Sequence, residues 1–251
     1  MFEDYKDIFN QRARYYHQAM IDFPLAREEE FYHVLNIADI SQGNIICDIP
    51  AGGGYLNNFI QYENKIISVE TSIEFLSFYG NKGINQTIIC NSMNEIPLQS
   101  TSIDRVISLA ALHHVSNKKA FYQESLRLLK DKGILCIADV FTGTGVADFL
   151  NIFVDKYNPM GHKGDFLNET TKADLESLSF QVLSAAQIGF NWKFDSLENM
   201  VRFCKLLFYI NDANDRQILK GIQKYLGYKV VDNQYCLPWE LFFLKARKIT
   251  G

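Results

Sequence analysis

The residues best suited to chemistry begin with Asp48, followed directly by Ile49-Pro50-Ala51-Gly52-Gly53-Gly54. A short apolar run, Ile45-Ile46-Cys47, leads into the acid, and Tyr55-Leu56 after the glycines can start a helix. A strand–loop–helix turn of this kind lets backbone come close to a ligand, because glycine has no side chain in the way. It also presents unpaired helix N-terminal amides to that ligand. Glu70 closes the next apolar run, 22 residues after Asp48. An acid in that place can accept both hydroxyls of a ribose as a bidentate hydrogen bond. The pair suits a nucleotide-type cofactor.

The glycine pattern narrows which one. A dinucleotide site wants G-x-G-x-x-G, yet the position three after Gly54 is Asn57. An acid just ahead of the loop repels a pyrophosphate but suits a group that carries a positive charge or an ammonium. Charge therefore favours S-adenosylmethionine over NAD. Five histidines, His17, His33, His113, His114 and His162, supply bases that titrate near neutral pH.

These groups need a framework to position them. From residue 45 short apolar runs alternate with helical patterns: Asn44–Ile49, Lys65–Glu70, Thr87–Asn91, Ile103–Ala110 and Gly133–Val140 read as strands. Helical patterns lie near 55–62, 72–80 and 117–130, the last with Phe121, Tyr122, Leu126 and Leu129 on one stripe before Asp131-Lys132-Gly133. Alternation of this sort implies parallel pairing in a doubly wound α/β sheet, mostly parallel and seven-stranded. Ligands of such sheets bind at the carboxyl ends of the strands, where Asp48 and the glycines fall. Residues 1–43 read as an aromatic helical leader broken at Asp22-Phe23-Pro24, since proline disfavours helix before it. After Val140 the expectation is a helix over Gly145–Tyr157, a loop at Pro159–Gly164 and a helix at Asn168–Ser177. A strand at Phe180–Phe190, two helices in 195–227 and a last strand at Leu241–Ala246 complete the reading. With no repeat or linker, 1–251 reads as one domain: a leader or lid over 1–43, a cofactor-binding core over 44–140, and acceptor-side helices and last strands over 141–251.

Composition sets outer limits. Lys and Arg total 25 against 29 for Asp and Glu, a formal charge of −4, which argues against nucleic acid as substrate. Cys47, Cys90, Cys136, Cys204 and Cys236 form no C-x-x-C pair, and three of them lie in apolar strand runs. Scattered thiols of this kind read as reduced and buried, and so as cytoplasmic. No metal is expected. Met1-Phe2-Glu3-Asp4-Tyr5-Lys6 has no signal pattern, and no apolar run approaches the ~20 residues that span a bilayer.

The motifs taken in order resemble class I S-adenosylmethionine-dependent methyltransferases, closest to the small-molecule branch typified by ubiquinone biosynthesis. Asp48–Gly54 resembles the family's first motif and Glu70 its ribose-binding acid. Asn91-Ser92-Met93 lies where the family binds adenine, with Asn91 in place of a common Asp. Ile103–Val115 resembles the fourth-strand motif, and Leu128–Gly133 the approach to the fifth strand. The resemblance spans roughly 45–140; Pro50 stands where glycine is usual. It implies a Rossmann-like fold, with S-adenosylmethionine held by Asp48, Ala51, Gly52, Gly54, Glu70, Asn91, Ser92 and Met93. Thr71, Leu109 and Tyr16 are counted in the same set.

Transfer from a sulfonium needs alignment and exclusion of water above all, with a base where the acceptor must lose a proton. His113, just past the fourth strand, and His162, in Gly161-His162-Lys163-Gly164, are the candidates; Asp139 is a further one for orienting a base or binding an acceptor amine. His17 is placed to close over the cofactor, and His33 reads as structural. Each also has a plain reading as a turn, a surface acid or a loop residue. Aromatics such as Phe9, Tyr15, Phe149, Trp192 and Phe208 are core by default, and some of them could line a small aromatic or apolar acceptor's pocket. The expected function is methyl transfer to a small molecule, the acceptor atom and oligomeric state left open. The alternatives are a cofactor-binding partner or sensor without transfer activity, and an NAD-dependent oxidoreductase.

Overall fold

A computed structural model describes residues 5–61, 63–79 and 85–249. Tyr62 and Gly80, at the ends of two expected helical patterns, and Met1–Asp4 lie outside the described residues. Seven strands run side by side: β1 (Ile45–Asp48), β2 (Lys65–Glu70), β3 (Gln86–Ile89), β4 (Ile103–Leu109), β5 (Leu129–Asp139), β6 (Phe180–Phe194) and, after the short β7 (Lys229–Val231), β8 (Gln234–Lys248). Their order is β3-β2-β1-β4-β5-β8-β6, with β7 added as a hairpin on β8. Pairing is parallel from β3 to β5 and antiparallel where β8 enters between β5 and β6. This is the α/β, Rossmann-like, mostly parallel sheet expected, with the hairpin strand as an addition.

The order of strands explains the burial. β1, β2, β4 and β5 are covered on both sides, so Ile46, Cys47, Val106, Ile107, Leu135 and Ile137 are buried in an unbroken apolar layer. The sheet separates two cores, one of which contains Phe121, Tyr122 and Leu128 of α4 (Lys118–Leu128). The other gathers Val34 and Ala38 from α2 (Glu28–Ala38) with the aromatics of β6, β8 and the late helices.

The leader forms α1 (Tyr5–Asp22), which packs against α3 (Ile73–Leu76) and α8 (Leu197–Leu207). Its buried residues Tyr5, Ile8, Phe9, Arg12 and Ala13 repeat at helical spacing. Downstream of β5, α5 (Gly145–Asp148) and α6 (Asp155–Tyr157) flank a π-helical stretch, Phe149–Val154. α7 (Thr171–Glu176) precedes β6, and α9 (Asp215–Tyr225) carries an Asn214/Gln217 capping box. No helix among the described residues is long and apolar enough to cross a membrane.

Candidate active site

β1 delivers Asp48 to the carboxyl edge of the sheet, between Ser68 of β2 and Ile107 of β4. The loop that follows is tied back to the sheet by Ala51 N–H on the Val69 carbonyl at 2.9 Å. Gly52 (φ +54°) and Gly54 (φ +73°) take left-handed backbone that a side chain would strain. That turn aims the Gly52 amide at Glu70 Oε2, 2.7 Å away. The other oxygen of Glu70 accepts from the amides of Thr71 (2.7 Å) and Ser72 (2.8 Å). A fourth donor is the Tyr5 phenol, 3.1 Å from Oε2. Burial pushes Glu70 up to about 7 despite these four hydrogen bonds, and pushes Asp48 up to about 8, with Glu70 adding repulsion.

Two small cavities of about 50 and 40 Å³ open here, one beside Asp48 and the glycine loop and one beside His113 and His162; their side chains must part to admit a small molecule. The first is lined by Asp48, Ala51, Gly52, Leu109 and Tyr16 among the expected residues, and by Tyr5, Phe9, Arg27 and Phe75. Glu70 and Thr71 back its glycine loop. Gly54 faces Tyr79 instead. Asn91, Ser92 and Met93 lie outside the lining: Asn91 accepts from Lys6 Nζ, Ser92 Oγ from the Asn94 amide, and Met93 is buried in the core. His17 sits above the loop, hydrogen-bonded to the Tyr55 hydroxyl at 2.8 Å and stacked on Phe78. His33 packs against Phe190 and Phe243.

Whether S-adenosylmethionine suits this cleft is decided by two polar groups. Asp48 Oδ2 is buried with no hydrogen-bond partner among the described residues, so the carboxyl is open to pair with an ammonium and give up its proton to do so. Glu70 accepts a hydroxyl from Tyr5, the same donor type as a ribose. Both fit the cofactor.

The second space shares Phe9, Tyr16, Arg27 and Ala110 with the first. The shared wall is built from a buried ion pair. Arg27 Nε donates to Glu30 Oε2 at 2.8 Å, Glu30 also accepts from Trp192 Nε1 at 2.8 Å, and Arg27 donates to the Tyr16 hydroxyl. Glu30 holds Arg27 firmly charged despite burial, a bond net that fixes both side chains. Ala110 takes φ +51°, a strained backbone at the turn leading into the 3-10 segment Leu112–His114.

That turn places His113 over the end of β5. Its amide donates to Asp139 Oδ2 (3.1 Å) and its Nδ1 to Asp139 Oδ1 (2.7 Å), so Nε2 carries the free lone pair. His162 arrives from the loop after α6, its amide on Asp155 Oδ1 at 2.9 Å. Its Nδ1 lies 3.0 Å from Asn151 Oδ1, an oxygen identified by the Gly164 amide that also donates to it. His162 therefore carries its proton on Nδ1 as well. The structure brings both expected histidines together, ring centres 5.4 Å apart, with His114 beside them. Burial, and then the neighbouring imidazoles, hold His114 well below the ordinary value. His162 is lowered likewise by burial, then by His113 and Arg12.

Sequence spacing gives no hint that these three rings converge. Their ligand atoms lie within 4.8 Å of one another, the one grouping among the described residues that could hold a metal ion. Donors on a tetrahedral zinc sit about 3.3 Å apart at the usual bond lengths. The Arg12 guanidinium lining the same space opposes a dication there. Stacked aromatics line the same space: Trp192 on Trp239 at 4.1 Å and Phe208 on Trp239 at 5.7 Å. Sequence reasoning missed Tyr5, Arg12, Arg27, Glu30 and Trp239. Only the helical spacing of Tyr5 and Arg12 along α1 could have pointed to any of them.

With this geometry in view, the likenesses to known proteins are informative. Residues 47–137 match the family model described as a methyltransferase domain. An uncharacterized protein of Methanocaldococcus jannaschii, MJ1252, is 29% identical over 111 residues; the match spans 44% of this chain and 41% of that protein. Among solved structures, the YcgJ protein of Bacillus subtilis aligns at TM-score 0.62 and 16% identity, over 89% of this chain and all of its own. A chain from the complex containing the Haloferax volcanii Trm112 methyltransferase activator aligns at TM-score 0.65 and 13% identity, over 100% of each chain. Phospholethanolamine N-methyltransferase 2 of Haemonchus contortus, solved with phosphomonomethylethanolamine and S-adenosylhomocysteine, aligns at TM-score 0.61 and 14% identity, over 88% of this chain and 53% of its own. These structures share the fold. Over residues 47–137 the chain matches the methyltransferase-domain family.

Proposed function

We propose that the chain methylates a small, flat, largely apolar acceptor bound between the His113–His162 pair and the Trp192–Trp239 wall. The observation that carries this reading is the pair of adjoining cavities. One is edged by Asp48 and by Gly52, whose amide Glu70 holds from behind, the other by an Asp-oriented histidine, and they meet at Phe9, Tyr16, Arg27 and Ala110. Asp48 and Glu70 hold the cofactor's ammonium and ribose, backed by Ala51, Gly52 and Thr71, with Tyr16 and Leu109 along the wall. Gly54 keeps the loop's turn, and Asn91, Ser92 and Met93 are its adenine-side residues once Tyr5 and Phe75 give way. Bound there, the cofactor supplies an electrophilic methyl group on a sulfonium.

This chain's own residues then align the acceptor, exclude water and take a proton. His113 and His162 would hold the acceptor in line with the methyl group that the cofactor would supply, the sulfur leaving as the thioether. The acceptor's proton passes to His113 Nε2, and Asp139 stabilises the imidazolium through Nδ1. His162, its own Nε2 lone pair turned inward, orients the acceptor beside it. α1 acts as the lid, and 1–251 works as one unit. The five buried free cysteines support a reducing, cytoplasmic setting. The likeness to the activator complex supports a protein partner of that kind, and the acidic balance counts against nucleic acid.

The test is to incubate the protein with S-adenosylmethionine and a panel of phenols, quinol precursors and amines, and to follow S-adenosylhomocysteine. His113→Ala is expected to lower kcat by about 10²–10⁴, the usual worth of a positioned base, with cofactor affinity unchanged. An unchanged kcat would leave alignment as the sole mechanism and remove the base. Tight cofactor binding with no turnover across the panel would favour the sensor reading.

A further inference from the structure

Arg12 is the anomaly of the second cavity. It is 5% exposed, its Nε is buried without a hydrogen-bond partner, and no acid pairs with it among the described residues. Its nearest electronic contact is the face of Phe9, 4.6 Å from the guanidinium carbon. Burial lowers it to about 10, while only the phenols of Tyr16 and Tyr5 act in the other direction. The other charges around this space are already engaged. Glu30 is held by Arg27 and Trp192, and Asp139 by His113 and the Val140 amide. Asp155 is taken by Lys163 and the His162 amide. A charge left unpaired in the interior is costly, and a chain retains one where something else neutralises it.

Building on the methyl-transfer reading above, we propose that Arg12 is the anion subsite of the acceptor, and that the acceptor is an aromatic monocarboxylate. Three features select that class. The guanidinium offers a planar donor fork that matches a carboxylate in a bidentate pair. It is the one guanidinium of this space without an acid, because Arg27 is paired with Glu30; a carboxylate cancels a single charge and a phosphate dianion overshoots it. The stacked Trp192 and Trp239 that line the same cavity suit a flat, apolar ring. The carboxylate of S-adenosylmethionine is not the partner, because Arg12 lines the histidine-bearing cavity and not the one at Asp48, where Arg27 stands instead. An acceptor with its carboxylate on Arg12 turns its ring along the aromatic wall and its far substituent toward His113.

The experiment is a calorimetric titration of the full chain, saturated with S-adenosylhomocysteine, using 4-hydroxybenzoate, the isosteric 4-hydroxybenzamide and phenyl phosphate. The acid is expected to bind about 10–100-fold more tightly than the amide, the worth of a charge-assisted pair. Arg12→Met should erase that preference and leave S-adenosylhomocysteine affinity as it was, whereas Arg12→Lys should retain part of it. Arg12→Met should also melt no lower than the wild type without ligand, since it removes an unpaired buried charge. Equal binding of acid and amide, or tighter binding of the phosphate, would overturn the carboxylate assignment. So would a preference that survives Arg12→Met, or loss of S-adenosylhomocysteine binding in that variant. Wild-type protein that fails to bind S-adenosylhomocysteine at all would sink the donor reading instead. The acid–amide comparison, run without it, would still judge Arg12.

Discussion

Asp48 is held in a state that weakens the protein without its cofactor, and raising the pH should expose this. In the unfolded chain its carboxyl titrates near 4; burial, with Glu70 close by, pushes it up to about 8. The native state therefore holds the proton more tightly than the unfolded one. The resulting stabilisation is present in full below about pH 4 and is lost as the pH climbs toward 8. At 1.36 kcal/mol per pH unit the loss reaches about 5 kcal/mol, a large share of the 5–15 kcal/mol by which domains are stable. Glu70, raised to about 7, moves stability in the same direction, and because the two acids repel they lose their protons as a coupled pair. For a chain of this size 5 kcal/mol corresponds to a melting temperature lower by about 10–20 °C at pH 8.5 than at pH 4. Asp48→Asn keeps the shape but has no proton to lose. The variant should melt above the wild type at pH 8.5, come close to it at pH 4, and bind S-adenosylmethionine at least about tenfold more weakly, for want of a charged partner to the ammonium. Thermal melts across pH, each with and without cofactor, read all three. A flat wild-type profile, or a variant less stable than wild type at pH 8.5, would refute the reasoning.

Other perturbations follow from the same geometry. Tyr5→Phe removes the phenol that occupies Glu70 Oε2, so S-adenosylmethionine should bind about 2–10-fold more tightly by titration, the net worth of one hydrogen bond no longer displaced. Weaker binding would mean that Tyr5 touches the bound cofactor. Glu30→Ala leaves Arg27 charged and unpaired in the wall between the cavities. Urea unfolding should show a loss of about 3–5 kcal/mol, far above that of a surface substitution.

Much of this was readable in advance, for physical reasons that differ from place to place. Lys65–Glu70 was bounded to the residue because an apolar run with an acid at its end has few other ways to pack. Asp139, His113 and the glycine loop were legible because their places at strand ends follow from alternation alone. β5 was expected from Gly133 but starts at Leu129. The Asp131-Lys132-Gly133 turn signal is real, since Lys132 has φ +62°, yet the sheet absorbs it as an irregularity in the pairing with β4. β8 was read as Leu241–Ala246 because Pro238 and the polar residues around it interrupt the apolar pattern. The strand runs from Gln234, and its hairpin turns on Asp232 and Asn233, both at positive φ. The helix expected over Gly145–Tyr157 exists with a π-helical middle, which is where Asn151 reaches His162. Arg27 and Glu30 were invisible because Arg27-Glu28-Glu29-Glu30 looks like a solvated helix start. Only the tertiary fold shows that Arg27 and Glu30 turn inward to Trp192. Arg12 hid in the same way, as one charged residue on an otherwise apolar stripe.

The central claim is that the Asp48–Glu70 cleft holds S-adenosylmethionine with its reactive end toward His113. A crystal structure of the protein with S-adenosylhomocysteine tests it most directly. The ribose hydroxyls should lie on Glu70 in place of the Tyr5 phenol, the ammonium on Asp48, and the sulfur toward the wall of Ala110 and Arg27. A ligand bound elsewhere, or one that leaves Tyr5 on Glu70 and Asp48 without a partner, would contradict it.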